Sequence, residues 1–229
     1  MARIDAILWD IDGTLLTGKG IGREATRRSM EQVFGTSTGI DTHHFGGKTD
    51  YKTLALLLEP AGYDESAVGE KMPAFAQAMA ANMRALTATY DVVALPGAMN
   101  TLNALLRREN LLHGLVTGNV APAAPVKLQA AGYDPAVFTF GAFGDESVHR
   151  EDLPPAAITR ASELAGRSIA PEHVLIIGDT LMDITAARAS GVKVCAVATG
   201  YNTRDELAAA EPDYLINEMA EFNGVVQID

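Results

Sequence analysis

The amino-acid sequence predicts a doubly wound α/β fold that carries an all-helical insert. Short apolar runs that are typical of buried strands alternate with segments of helical periodicity along most of the chain. This alternation predicts a mostly parallel sheet that is covered by helices on both faces. One long interval near the N-terminus has helical periodicity without a convincing strand, and we expect this interval to be the insert.

The expected elements of the sheet follow one another in a regular order. The apolar runs predict five strands, at Ala6 to Trp9, Leu111 to Val116, Val174 to Ile177, Val192 to Ala198 and Tyr214 to Ile216. The intervening segments predict four helices, at Ala98 to Arg108, Ala123 to Ala131, Pro155 to Ala165 and Leu181 to Ser190.

The interval from about Lys19 to Tyr90 is too long for a single crossover helix. Helical periodicity is clear at Thr53 to Leu58 and at Ala67 to Leu86. We therefore predict a core formed by residues 1–17 and 91–229 and a helical cap formed by residues 18–90. An insert that leaves the C-terminal end of a strand lies over the edge where open α/β sheets bind ligands. The predicted cap is thus expected to act as a lid.

Composition narrows the possible classes of function. The chain has 229 residues, is 48% hydrophobic and 21% charged, which is typical of folded globular proteins. The net charge of -11 argues against binding to nucleic acid. No apolar stretch approaches the roughly 20 residues that span a bilayer. The apolar run near the N-terminus is too short for a secretory signal, so we expect none. We expect a cytoplasmic monomer or homodimer without a membrane partner.

The first motif with chemical content is Asp10-Ile11-Asp12-Gly13-Thr14, which follows the first predicted strand. Residues two apart in an extended chain share a face, so both carboxylates should emerge together at the strand's C-terminal end. Converging carboxylates repel, and Mg²⁺ is the hard cation that would compensate this charge. A solvated turn is the ordinary alternative for this motif alone.

Two further strands end in polar residues. Gly178 and Asp179 follow one apolar run, and Asp183 lies one helical turn later, where both carboxylates can face the strand edge. Leu115-Val116 runs into Thr117, Gly118 and Asn119, whose hydroxyl and backbone N–H groups suit phosphate oxygens. A parallel sheet would bring all these residues to one crevice.

In this order of motifs the chain resembles the haloacid dehalogenase-like hydrolase superfamily, and within it the phosphoglycolate phosphatase type. The resemblance rests on the DxDGT motif at Asp10 to Thr14, the strand-terminal Thr117, a later basic residue, and the GDxxxD motif that contains Asp179 and Asp183. It covers nearly the whole chain, and it implies a Rossmann-like core with a helical cap.

The resemblance also implies roles for these residues. Asp10 is the expected nucleophile, which forms an aspartyl-phosphate, and Asp12 is the expected general acid and base. Mg²⁺ is expected on the Asp10 side chain, the Asp12 backbone carbonyl and Asp179, with support from Asp183. The implied substrate is a small phosphorylated metabolite, whose phosphoryl group is held by Thr117, Gly118 and Asn119.

The basic residue departs from the family pattern, which usually has a lysine followed closely by proline. The corresponding stretch contains Arg150 ahead of a predicted helix, so we expect Arg150 to hold the phosphate. Lys127 is the reserve candidate, although its surroundings are typical of a solvated helix position. Lys48, within the predicted cap, is expected either to reach the substrate or to be a solvated loop lysine.

Two alternatives to a Mg²⁺-dependent phosphatase stay open at this point. A phosphomutase of the β-phosphoglucomutase type would use the same aspartyl-phosphate chemistry, although Thr14 favours a phosphatase. A non-catalytic binding module could keep the fold without turnover, but the intact carboxylates argue against it.

Overall fold

The computed structural model describes residues 3–226 and contains a six-stranded, fully parallel sheet. The strand order is β5-β4-β1-β6-β7-β8, so β1 and β6 are central. A separate antiparallel pair is formed by β2 and β3. The strands are β1 (Ala6–Trp9), β2 (Leu16–Thr17), β3 (Val93–Ala94), β4 (Leu112–Val116), β5 (Phe140–Ala142), β6 (Val174–Gly178), β7 (Lys193–Val197) and β8 (Tyr214–Ile216).

Helices connect the strands and cover the sheet. The α-helices are α1 (Ile21–Phe34), α2 (Asp50–Leu58), α3 (Glu65–Leu86), α4 (Ala98–Leu105), α5 (Ala124–Ala130), α6 (Leu153–Ala165), α7 (Leu181–Ala189), α8 (Arg204–Ala209) and α9 (Phe222–Val225). Short 3₁₀ turns lie at Glu59–Ala61, Pro135–Val137, Arg150–Asp152, Pro171–His173 and Met219–Glu221. The predicted α/β fold class is confirmed.

The two central strands are buried on both faces. Every residue of β1 and of β6 is buried. Along β1, Ile7 and Trp9 belong to one apolar cluster, whereas Ala6 and Leu8 belong to a second. Because side chains alternate between the faces of a strand, these clusters are the two cores on opposite faces of the sheet. This is why the strands are continuous apolar runs rather than alternating patterns.

The stretch between β2 and β3, which we call the helical insert, holds α1, α2 and α3 and, as far as the structure describes it, no strand. Its helices pack on their own apolar residues, such as Leu54, Phe75 and Met83, which belong to the same cluster as Ile7 and Trp9 of the sheet. The short pair of β2 and β3 lies where the chain enters and leaves this stretch. The division into a core of residues 1–17 and 91–229 and a cap of residues 18–90 stays a prediction.

Candidate active site

The C-terminal ends of β4, β1 and β6, which are neighbours in the sheet, open onto one cavity. Trp9, the last residue of β1, is in register with Leu115 of β4 and Ile177 of β6. The residues that follow these strands, Asp10, Thr117 and Asp179, therefore start from the same edge of the sheet. The cavity has a volume of about 220 Å³. Both the sheet edge and helical-insert residues such as Arg23, Thr26, Lys48 and Met79 line it.

Three carboxylates form a compact buried cluster at this edge. Oxygen atoms of Asp10, Asp179 and Asp183 lie within 4.8 Å of one another, and all three side chains are buried. Asp183 reaches the edge because it closes a capping box with Thr180 in the first turn of α7. Its Oδ2 accepts hydrogen bonds from the Thr180 N–H (3.0 Å) and hydroxyl (2.7 Å).

Ionisation of the carboxylates in this cluster is unfavourable unless a further cation balances their charge. Burial raises the pKa of Asp10 to about 7; Arg150 opposes this shift, while Asp183 and Asp12 add to it. Burial, followed by repulsion from Asp10 and Asp183, raises the pKa of Asp179 well above its usual value. A set of carboxylate oxygens in a small space is the donor chemistry that a hard divalent cation prefers. The residues therefore fit a metal site.

Glycines leave room for the Asp179 carboxylate. A Cβ added at Gly200 would lie 1.8 Å from Asp179 Oδ2, and one added at Gly13 would lie 2.4 Å from it. The carboxylate is also held by the Tyr201 backbone N–H at 2.8 Å and by the Thr14 hydroxyl at 3.2 Å. Gly13 of the DxDGT motif thus leaves space for the Asp179 carboxylate of the GDxxxD motif, and Thr14 donates a hydrogen bond to it.

Arg150 is a buried cation that contacts the acidic cluster. Its Nη2 lies 2.5 Å from Asp183 Oδ1 and 3.2 Å from Asp10 Oδ1. Its Nη1 donates a hydrogen bond of 3.1 Å to the carbonyl oxygen of Gly47. The residue stands in the 3₁₀ turn before α6, which is the placement expected from the sequence. It binds the nucleophile candidate and the helical insert at once.

A second polar network surrounds Asp12. Asn119 Nδ2 donates to Asp12 Oδ2 and to Thr117 Oγ1, both at 2.8 Å. Lys127 Nζ donates to Asp12 Oδ2 at 2.7 Å and to Asn119 Oδ1 at 2.6 Å. The interpretation of Lys127 as a solvated lysine is wrong, because only 4% of the residue is exposed.

Gly118 and Lys48 meet where the helical insert touches the loop after β4. A Cβ added at Gly118 would lie 2.2 Å from the carbonyl oxygen of Lys48, so this close approach requires glycine. The Lys48 side chain is half-buried and lines the cavity. Its Nζ donates to the His44 carbonyl oxygen at 2.8 Å. Lys48 therefore lies on the insert's side of the same cavity.

The structure adds a residue to the site that motif analysis did not single out. Asp50, the last residue of the Gly-Lys-Thr-Asp stretch, is half-buried in the cavity wall, and its Oδ2 accepts a hydrogen bond of 3.0 Å from the Val120 N–H. Burial raises the pKa of Asp50 to about 6. A carboxylate in the first turn of a helix is the only local signal at Asp50, and this signal is equally typical of a solvated helix terminus.

Arg23 and Tyr201 also line the cavity without any sequence signal. Arg23 donates hydrogen bonds to the carbonyl oxygens of Ile40 and His43 and lies 4.9 Å from the centre of the Phe45 ring. Arg23 and Phe45 belong to different parts of the insert, so their meeting depends on its tertiary structure.

The fold and the site together define an α/β enzyme with an acidic, cation-lined cavity, the candidate active site, between its sheet and a helical insert. The family model described as haloacid dehalogenase-like hydrolase matches residues 4–191. The chain belongs to this family, as the sequence motifs predict.

Relatives and solved structures agree with this membership. The chain is 24% identical to a phosphoglycolate phosphatase from Pseudomonas putida over 93% of this chain and 76% of that protein. It is 26% identical to a 5'-nucleotidase from Pseudomonas aeruginosa over 98% of this chain and 96% of the relative. The structure of CbbY from Rhodobacter sphaeroides in complex with phosphate superimposes with a TM-score of 0.70 at 21% identity, over 96% of this chain and 97% of CbbY. The likeness in structure shows the shared fold.

Among the helices that the structure describes, none is long and apolar enough to cross a membrane.

Proposed function

We propose that this protein is a Mg²⁺-dependent phosphatase that hydrolyses a small phosphate monoester through an aspartyl-phosphate on Asp10. One observation carries the proposal: the two carboxylates of the DxDGT motif have different surroundings. Asp10 is buried beside Asp179, Asp183 and Arg150. The Asp12 side chain is 35% exposed and is held by Lys127 and Asn119. Two carboxylates in unlike environments suit a nucleophile and an acid/base group.

In the first step, an oxygen of Asp10 attacks phosphorus and the bond from phosphorus to the ester oxygen breaks. Asp12, initially protonated, donates its proton to the departing oxygen. The products are an alcohol and the aspartyl-phosphate. Arg150 lies 3.2 Å from Asp10, where its charge would offset the charge on the transferring group.

In the second step, Asp12 accepts a proton from water, whose oxygen attacks phosphorus. The bond between phosphorus and Asp10 breaks, inorganic phosphate leaves, and both carboxylates return to their starting states. Thr117, Gly118 and Asn119 would hold the phosphoryl oxygens, since they follow β4 at the cavity wall. Asp10, Asp179 and Asp183, with the Asp12 backbone carbonyl, would hold Mg²⁺. A bound Mg²⁺ supplies positive charge that offsets the phosphoryl group and the carboxylates.

The size and lining of the cavity support a small, polar substrate. A volume of about 220 Å³ suits a metabolite rather than a polymer. The names of the relatives include a phosphoglycolate phosphatase and a 5'-nucleotidase, which share phosphate monoester chemistry but differ in the leaving group. The cytoplasmic location and the monomeric or homodimeric state stay predictions.

The test measures release of inorganic phosphate from p-nitrophenyl phosphate and from a panel of phosphorylated metabolites. We expect turnover with Mg²⁺, loss of turnover with EDTA, and acid-stable labelling of the protein when a ³²P-labelled substrate is quenched early. Turnover that persists in EDTA, or an absence of phosphate release from every substrate, would refute the proposal.

A further inference from the structure

We infer that Lys127 is a positioning residue that holds the acid/base carboxylate Asp12 in place for proton transfer to the leaving group. This inference rests on the proposed function and deepens it. Lys127 lies in α5, 115 residues from Asp12 along the chain, and its ammonium group lies 2.7 Å from Asp12 Oδ2. The side chain is only 5% exposed. A lysine is rarely buried to this extent unless it is paired.

The contacts of Lys127 fix one oxygen of Asp12. Lys127 Nζ and Asn119 Nδ2 both donate to Asp12 Oδ2, at 2.7 Å and 2.8 Å. Lys127 also donates to Asn119 Oδ1 at 2.6 Å. Lys127 therefore also positions the Asn119 side-chain amide, whose Nδ2 donates to Asp12. This closed triangle of three side chains restricts rotation of the carboxylate. With Oδ2 occupied by two donors, Oδ1 is the oxygen left to exchange a proton with the leaving group and with water.

Arg150 and Lys127, both buried, contact different carboxylates. Arg150 contacts Asp10 and Asp183, and Lys127 contacts Asp12. Lys127 is also attracted by the half-buried carboxylate of Asp50, which comes from the helical insert. The insert therefore contributes negative charge near Lys127. Arg150 acts on the side of the phosphoryl group, whereas Lys127 acts on the side of the leaving group.

This division predicts that the role of Lys127 depends on the leaving group. An alkoxide is a poor leaving group and needs a proton from Asp12 as its bond to phosphorus breaks, whereas p-nitrophenolate leaves readily without one. The value of kcat/KM reports the steps up to the first irreversible cleavage. A residue that positions Asp12 should therefore matter far more for an alkyl phosphate than for p-nitrophenyl phosphate.

The experiment compares kcat/KM for p-nitrophenyl phosphate and for the alkyl phosphate that the wild-type protein hydrolyses fastest. For Lys127→Met we expect a loss on the order of 10²-fold with the alkyl phosphate and less than about 10-fold with the aryl phosphate. For Arg150→Ala, which removes the other buried cation of the cavity, we expect similar losses with both substrates. Lys71→Met is the matched control, because Lys71 is an exposed lysine on α3; it should match wild type with both.

Two further measurements separate positioning from folding. Lys127→Arg keeps the buried positive charge but replaces the compact ammonium group that contacts Asp12 by a planar guanidinium. We expect a smaller loss of kcat/KM than in Lys127→Met, and this loss should still be larger for the alkyl phosphate. Added ethylammonium should restore alkyl phosphate turnover to Lys127→Ala by filling the space left in the cavity. Equal losses for both substrates in Lys127→Met and Lys127→Arg would overturn the inference while leaving the proposed function intact. An inactive wild-type protein would instead overturn the proposed function.

Discussion

The backbone N–H of Asp50 donates a hydrogen bond of 2.7 Å to the carbonyl oxygen of Gly118. This bond joins the first turn of α2, in the helical insert, to the loop that follows β4. The Tyr51 N–H makes a similar bond of 2.9 Å to the Gly144 carbonyl oxygen, and the Asp50 carboxylate accepts from the Val120 N–H. The first turn of α2 is therefore hydrogen-bonded to the loops after β4 and β5, and the loop after β4 contains the residues predicted to bind phosphate.

The first prediction concerns Gly144→Ala, which tests this close contact. A Cβ at Gly144 would lie 1.7 Å from the Gly118 carbonyl oxygen and 2.9 Å from the Asp50 nitrogen. The loops must separate, so we expect about 1–3 kcal/mol of lost stability and at least a 10-fold fall in kcat/KM. Gly224→Ala is the control, because a Cβ there meets nothing within 4 Å. Wild-type stability and activity in Gly144→Ala would show that the contact is not needed.

The second prediction is that Asp10→Asn removes turnover while the protein stays folded. The amide keeps the shape of the side chain but lacks the nucleophilic carboxylate oxygen. We therefore expect kcat to fall at least about 10³-fold. In EDTA the variant should melt no lower than wild type, because one member of a buried acidic cluster is neutralised. Steady-state phosphate release and thermal melting check both points. Near-wild-type turnover would exclude Asp10 as the nucleophile.

The third prediction concerns Arg150, whose Nη2 contacts both Asp10 and Asp183. Arg150→Ala should lower kcat on the order of 10²-fold or more, because a cation near the developing charge is lost. Arg150→Lys should recover only part of this activity, since one ammonium group cannot replace a guanidinium that also binds the Gly47 carbonyl. Arg160→Ala, which removes a more exposed arginine paired with Glu146, should keep wild-type kcat.

The main strands could be predicted because burial on both faces leaves a continuous apolar run, as in β1 and β6. The three-residue strand β5 was not predicted, because Phe140-Gly141-Ala142 is too short and too poor in β-branched residues to give a signal. The strands β2 and β3 were missed because two residues are too few to give a pattern. Helix α1 was not delimited, because residues such as Thr26 and Ser29 on its buried face look polar in sequence.

The site could be predicted where its residues end a strand and could not where they meet by tertiary packing. Asp10, Thr117 and Asp179 share one edge because β1, β4 and β6 are parallel. The burial of Lys127 depends on its ion pair with Asp12, which is 115 residues away. The residues around Lys127 in the sequence do not indicate this ion pair. A lysine in a helix looks solvated until its partner is placed.

The fourth prediction is that Asp179→Asn stabilises the protein without metal and removes its response to Mg²⁺. The pKa of Asp179 is raised well above its usual value by burial and by repulsion from Asp10 and Asp183. An ionised carboxylate there therefore costs stability at neutral pH, and the amide removes this cost. We expect a higher melting temperature than wild type in EDTA. We also expect little of the increase that Mg²⁺ gives the wild type.

The control for this experiment is Asp91→Asn, which neutralises an exposed carboxylate. It should keep the response of the wild type to Mg²⁺. A wild-type increase in melting temperature for Asp179→Asn would exclude this residue as a metal ligand. A lower melting temperature in EDTA would show that its hydrogen bonds to Tyr201 and Thr14 outweigh the repulsion.

The last prediction concerns the pH dependence of stability and His113, a buried residue of β4. Its Nδ1 accepts a hydrogen bond of 3.2 Å from the indole N–H of Trp9, so the imidazole is neutral in the folded protein. Burial lowers the pKa of His113 from 6.5 to about 4. Between these two values the unfolded chain binds more protons than the folded one, so stability falls as the pH drops from 6.5 towards 4. The full effect is at most roughly 3 kcal/mol.

His113→Gln should remove this contribution, because glutamine does not titrate and its carbonyl oxygen can still accept the Trp9 N–H. We expect the variant to lose less stability than wild type between pH 6.5 and pH 4, even if it is less stable at pH 7. Urea unfolding followed by the fluorescence of Trp9, the single tryptophan of the chain, measures this slope directly. His44→Gln, at an exposed histidine, should keep the wild-type slope. An unchanged slope in His113→Gln would show that other groups control acid unfolding.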